Sequence, residues 1–322
     1  MLELINYFKA ILALKYFSVK VNKINILKGH QSGIYGLIKD GQNDDAFYSA
    51  SGDGKIVKWQ PFLTDVGELV ATTPSPAYAI EIYPDKNLLF AGTHKGQLHV
   101  VDLSIKKELR CIDLHENGIF EINFIREKNL LVTGGGDGCI ILMEADGLEV
   151  ISKFSFGNFK IRATCYDRKT ENLLVGCGDG SIALVDLKTF KPVNKFESHQ
   201  KDFSVNAITI SPDGNYLLSG SRDAHLNVYD VKNNFKQVAS IPAHNYAIYK
   251  ITFSPDGKYF ATASRDKTAK IWNAEKMEVM VRLDKEKYDG HINSVNTILW
   301  LNNNMFITAG DDRAIIVWEI TE

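Results

Sequence analysis

One pattern recurs seven times along this chain: a polar turn residue followed, six positions later, by a bulky one. The pairs are Asp53/Trp59, Lys95/Val101, Asp137/Met143, Asp179/Val185, Asp223/Tyr229, Asp266/Trp272 and Asp312/Trp318, and successive first members stand 42, 42, 42, 44, 43 and 46 residues apart. A unit this short cannot bury both faces of its own sheet. It must stack on its neighbours, so the array folds as one body. The repeat therefore overrides the two domains that 322 residues would suggest by length.

The clearest unit, residues 243–273, alternates apolar and polar side chains in three runs. Ile248, Ile251 and Phe253 belong to the first, residues 259–263 form the second and residues 268–272 the third. Ser254-Pro255-Asp256-Gly257 separates the first two; Pro fixes φ, and Asp and Gly accept a tight bend. Such runs predict short antiparallel strands, and four per unit predict the blades of a propeller. Two units carry glycine clusters, Gly134-Gly135-Gly136-Asp137-Gly138 and Gly176-Cys177-Gly178-Asp179-Gly180. A phosphate-binding loop would lead into a helix. Here strand-like residues 139–143 and 181–185 follow, so these are tight turns between strands.

The units open with Gly29-His30, Leu114-His115, Ser198-His199, Ala243-His244 and Gly290-His291, and three close on Trp59, Trp272 and Trp318. With these residues in phase, residues 20–322 resemble the WD-repeat (WD40) family. The resemblance implies an all-β, seven-bladed β-propeller of four-stranded antiparallel blades. Residues 21–27 alternate as a strand, and the last unit has only three strand segments. An N-terminal strand is thus expected to complete the last blade and close the ring, which also hides a raw sheet edge.

The family's structural tetrad uses residue types found here at His30, Ser49, Asp53 and Trp59, at His244, Thr262, Asp266 and Trp272, and at His291, Thr308, Asp312 and Trp318. The indole N–H needs an acceptor; a hydroxyl can supply it and donate onward to His, whose other nitrogen meets the turn carboxylate. Ser, His and Asp also spell a hydrolase triad, but a nucleophile is singular and exposed, whereas these sets recur and are expected to be buried. No catalytic residue is therefore assigned. Tyr229, Met143, Val185 and Val101 replace Trp in the other units, which are expected to lean on apolar packing.

In the family, partners often dock on the face bearing the blade-entry loops and the tetrad Asp turns. Two positions per blade point there. The first set is Tyr35, Tyr78, Phe120, Arg162, Asn206, Tyr249 and Asn296; the second includes His94, Arg222, Arg265 and Asp311 beside Gly52, Gly136 and Gly178. Aromatics and Arg dominate interface energetics. Arg222 and Arg265 would suit an acidic or phosphorylated segment.

Bulk properties exclude rather than identify. Net charge is −2, so no global field attracts nucleic acid or anionic lipid. Cys111, Cys139, Cys165 and Cys177 form no C-x-x-C pair, and no His stands at zinc-finger spacing from them, so free thiols in a reducing cytoplasm are expected, with no metal and no cofactor. No run of 18 uncharged apolar residues exists. Residues 1–19 form an N-terminal extension: a helix or disordered lead outside the ring, a stretch foreign to the natural product, or a membrane-targeting segment. The expected function is a non-enzymatic scaffold that binds a protein or peptide partner, as a monomeric propeller within a larger complex. The alternatives are a propeller enzyme or small-ligand binder using the central channel, and a membrane-tethered platform.

Overall fold

Period-two alternation places one face of every strand on each neighbouring blade, and the repeats assemble accordingly. The structure, a computed structural model, describes residues 19–321. Seven four-stranded antiparallel sheets follow one another in chain order. Blade one comprises Ile34–Lys39, Phe47–Ser51, Lys55–Trp59 and Glu68–Thr72, and blade two Ala77–Tyr83, Leu88–Thr93, Gln97–Asp102 and Lys107–Asp113. Blades three to six begin with Ile119–Ile125, Ala163–Asp167, Val205–Ile210 and Ile248–Phe253. Blade seven takes Val295–Trp300, Met305–Gly310 and Ala314–Thr321 from the end of the chain, and its fourth strand, Lys20–Lys28, from near the beginning. Innermost strands pack side by side around the full circle, the last on the first.

The closing strand is paired antiparallel along its length, from Lys20 opposite Thr321 to Lys28 opposite Ala314. Its Val21 and Leu27 are buried, in the clusters on either side of blade seven. The apolar core is divided in the same way throughout: seven buried clusters, each shared by two adjacent blades. No blade can therefore be removed without uncovering two of them.

Turn chemistry explains where the strands stop. In blade six the Gly257 N–H donates to the Ser254 carbonyl at 2.9 Å, and the Ser254 hydroxyl to Asp256 at 2.7 Å. Both glycine clusters end strands and lead directly into others, Cys139–Glu144 and Ser181–Asp186. The charged stretch 285–289 between blades six and seven, whose composition suits a solvated loop, has no buried residue in its first four positions, and these form a one-turn helix, Lys285–Tyr288. The Asp284 carboxylate caps it by accepting from the Lys287 N–H at 2.9 Å, satisfying a backbone donor that has no partner within the helix. Asp289 follows and pairs with Lys23, tying the closing strand to this joint. The expectations for residues 1–18 lie outside the described residues. No described helix is long and apolar enough to cross a membrane.

Candidate interaction surface at the channel mouth

A backbone irregularity, repeated blade by blade, builds this surface. In six blades the pairing of the innermost strand with the next slips by one residue near its start: between Ile34 and Gly36, Ala77 and Ala79, Ile119 and Glu121, Val205 and Ala207, Ile248 and Lys250, and Val295 and Thr297. A bulge leaves the extra residue unpaired and re-aims its side chain. Those residues are Tyr35, Tyr78, Phe120, Asn206, Tyr249 and Asn296. Blade four lacks the slip, and its Arg162 lies just before the strand. All seven line one central channel of about 550 Å³.

Their chemistry is uneven around the ring. Tyr35 meets Tyr78 edge-on at 5.1 Å between centroids, and Tyr78 stacks on Phe120 at 5.1 Å. The Arg162 guanidinium lies 4.6 Å from the Phe120 centroid and the Lys160 ammonium 4.9 Å from it. Lys160 and Arg162 share that ring without a carboxylate partner among the described residues. Burial pushes the pKa of both cations down, and Arg162 lowers that of Lys160 further. Sequence reasoning missed Lys160, two residues before Arg162 and outside the periodic positions. Asn206 and Asn296, by contrast, donate to the backbone of the next blade, to the carbonyls of Ile248 at 3.4 Å and Ile34 at 3.1 Å. They clamp the ring.

The second set forms an outer circle. His94 is exposed and its Nδ1 lies 3.3 Å from the Tyr78 hydroxyl. Arg222 and Arg265 are exposed, with Arg222 5.9 Å from the Phe203 centroid. Asp311 accepts from Asn296 at 2.7 Å. The glycine sector is not bare: a Cβ on Gly178 would lie 2.4 Å from that of Phe159, whose loop rides over it.

Beneath the mouth, polar chains tie the entry loops to the blades. In blade six the Trp272 indole donates to Thr262 at 3.0 Å, the Thr262 hydroxyl meets His244 Nε2 at 2.7 Å, and His244 Nδ1 meets Asp266 at 2.9 Å. Blades one and seven repeat it through Trp59, Ser49, His30 and Asp53 and through Trp318, Thr308, His291 and Asp312. The chain reaches further than the Trp pattern suggests. His115 joins Thr133 to Asp137 in blade three, and His199 joins Ser219 to Asp223 in blade five. Apolar packing alone does not serve those two blades. Burial lowers the pKa of His30, His115 and His244, so the rings are neutral and Nδ1–H donates to the carboxylate. Burial opposes ionisation of Asp266, but the bonds from His244, Thr268 and the Asn245 N–H outweigh it and hold its pKa far below the usual range. Ser49, Thr262 and Thr308 are fully buried and engaged by indole N–H groups, which removes them as nucleophiles.

Deeper in the channel stand Glu81, Glu121 and Lys250. Burial pushes the Glu81 carboxyl up to about 7, although the Ile82 N–H donates to it. Glu121 is raised by burial, with Lys250 and Thr164 opposing.

Residues 21–60, 190–230, 235–273 and 284–319 match a family model described as WD domain, G-beta repeat. Each matched span starts at or near the outermost strand of one blade and takes in the three inner strands of the next. Over 158 residues, 47% of this chain, the sequence is 37% identical to WD repeat-containing protein 1 of Gallus gallus. The aligned part spans 26% of that protein's length.

Proposed function

This chain is a WD-repeat protein, and on that premise we propose that it is a non-enzymatic interaction scaffold whose channel mouth receives an acidic or phosphorylated segment of a protein partner. One observation carries the reading. Lys160 and Arg162 converge on Phe120, in an arc continued by Tyr78 and Tyr35, and no carboxylate among the described residues pairs with them. Two cations crowded at a partly buried ring raise each other's energy, and an incoming carboxylate or phosphate relieves both. Aromatic faces beside them offer rigid apolar area at low entropic cost, the composition of an interface anchor. Arg222 and Arg265 extend the positive rim toward blades five and six. A small ligand held by Glu81, Glu121 and Lys250 within the channel is the second reading, favoured by the mixed charge buried there.

The test is selection from a peptide library of varied charge, with wild type beside a Lys160→Glu, Arg162→Glu variant of unchanged melting temperature. Acidic or phosphorylated peptides enriched by wild type and lost by the variant are expected. Enrichment independent of peptide charge, or kept by the variant, refutes the proposal. Because Glu81 and Lys250 lie below the mouth, loss of binding only on their substitution would transfer the site to the channel.

A further inference from the structure

Blade two carries an unassigned polar cluster on its outer strands, away from the mouth. His99 lies on Gln97–Asp102, and Glu108 and Cys111 on the outermost strand, Lys107–Asp113. His99 and Cys111 are direct cross-strand partners. The register then slips, so that Val100 faces Arg110 and Val101 faces Glu108. Without that bulge Leu109, two residues from Cys111, would share its face. With it, Glu108 takes the place and Leu109 is turned out, 51% exposed. Three side chains with ligating atoms are thereby gathered on one face, and one such atom from each lies within 4.8 Å of the others.

The hydrogen bonding assigns each atom a role. Glu108 Oε2 lies 2.6 Å from His99 Nδ1. A carboxylate only accepts, so in the neutral ring Nδ1 carries the proton and Nε2 keeps its lone pair. Nε2 in turn lies 3.9 Å from Cys111 Sγ. Bond lengths of zinc to sulfur and nitrogen set two tetrahedral ligands about 3.5 Å apart, so a small rotation of the exposed Cys111 side chain brings both into range. A carboxylate on the far nitrogen is the usual support for a metal-bound imidazole. The His99 ring is buried and held in place, whereas Cys111 opens to solvent, which provides an entry path.

We propose that His99 and Cys111, with Glu108 orienting the imidazole, form a binding site for a thiophilic divalent cation of the zinc class, whose remaining positions are filled by water. As the metal–sulfur bond forms, the Sγ–H bond breaks and its proton passes to solvent; no redox change occurs. The absence of a zinc-finger spacing in the sequence does not bear on this site, because strand register rather than a short loop brings the ligands together.

Cadmium(II) is the probe, added to the full chain under reducing conditions without chelating thiols, and read by its sulfur-to-metal charge-transfer absorption; zinc(II) is then titrated against it. Saturation at one equivalent, displacement by zinc, loss of the band in Cys111→Ser and its retention in Cys139→Ser are expected. Glu108→Gln changes an accessible carboxylate, leaves both ligands in place and should weaken binding 10- to 100-fold. A band that persists in Cys111→Ser, a titration that never saturates, or undiminished affinity in Glu108→Gln overturns the proposal.

Discussion

Ring closure can be tested within one strand by comparing two aliphatic residues that differ in what they touch. Leu27 is fully buried among Ile34, Phe47, Trp59, Ile315 and Val317, at the junction of blades seven and one. Ile24 lies three residues earlier, at the slip in the same pairing, and is 47% exposed. Leu27→Ala removes buried methyl groups and leaves a void between two blades, at a cost of about 2–5 kcal/mol. Ile24→Ala should stay within about 0.5 kcal/mol. For a chain of this size about 2 °C is lost per kcal/mol, so the expected drops in melting temperature are about 4–10 °C and about 1 °C. Thermal unfolding followed by near-UV circular dichroism, at one protein concentration, measures both. Deleting residues 20–27 goes further: it uncovers the edge of Ala314–Thr321 and should add oligomers on size exclusion. Equal melting temperatures for Leu27→Ala and Ile24→Ala, or an unchanged melting curve after the deletion, would refute closure by this strand.

Trp272→Ala removes a ring stacked on Phe260 at 5.4 Å and should cost about 3–5 kcal/mol in chemical denaturation; a loss below about 1 kcal/mol contradicts the buried role. Trp272→Phe, which keeps an aromatic ring but drops the donor to Thr262, should cost about 1–2 kcal/mol. Glu81 holds its proton up to about pH 7 in the folded state, against an ordinary value of 4.5. The folded state therefore binds the extra proton, and stability falls as pH rises from about 4.5 through about 7. Glu81→Gln should raise the melting temperature relative to wild type at pH 8 and not at pH 4; an equal gain at both refutes the assignment.

The blades were legible because their information is local and repeated. Alternation and turn chemistry recur at each step, and a misjudged strand in one unit is corrected by the next. The tetrad was legible only where a large residue marked it. Trp59, Trp272 and Trp318 drew attention to blades one, six and seven, while His115 and His199 maintain the same bonds to Thr133 and Ser219 under Met143 and Tyr229. Tyr229 instead directs its hydroxyl to the Ser198 carbonyl at 2.7 Å, so losing the indole moved one link and left the others. The mouth positions could be counted from the strand start, but the bulge that turns them inward is a register slip between two strands, which neither strand records alone. The same holds for Glu108, whose face depends on a slip against Val101. Lys160 sits in an entry loop without periodic order, and Lys285–Tyr288 is too short for a helical period to register.

Regular and irregular blades divide the labour. A His–hydroxyl–Asp chain fixes the entry loop of its blade, because the carboxylate also accepts from the loop backbone, as Asp53 does from Gln31 at 2.7 Å. A blade with that chain has its upper loop determined by its core. Blade two puts Lys95 at the carboxylate position, and blade four has no opening His: Asp179 accepts from Ser181 at 2.5 Å and Lys195 at 2.6 Å instead. Their loops are free of that constraint and can be shaped for other ends. The matches to the family model cover none of residues 61–189, which hold blade two, blade three and most of blade four. The same stretch holds Tyr78, Phe120, Lys160 and Arg162 at the mouth, and His99, Glu108 and Cys111 on the rim. Blades two and four, where the chain departs from the repeat, thus bring Tyr78, Lys160 and Arg162 to the mouth, beside Tyr35 and Tyr249 from blades that keep it.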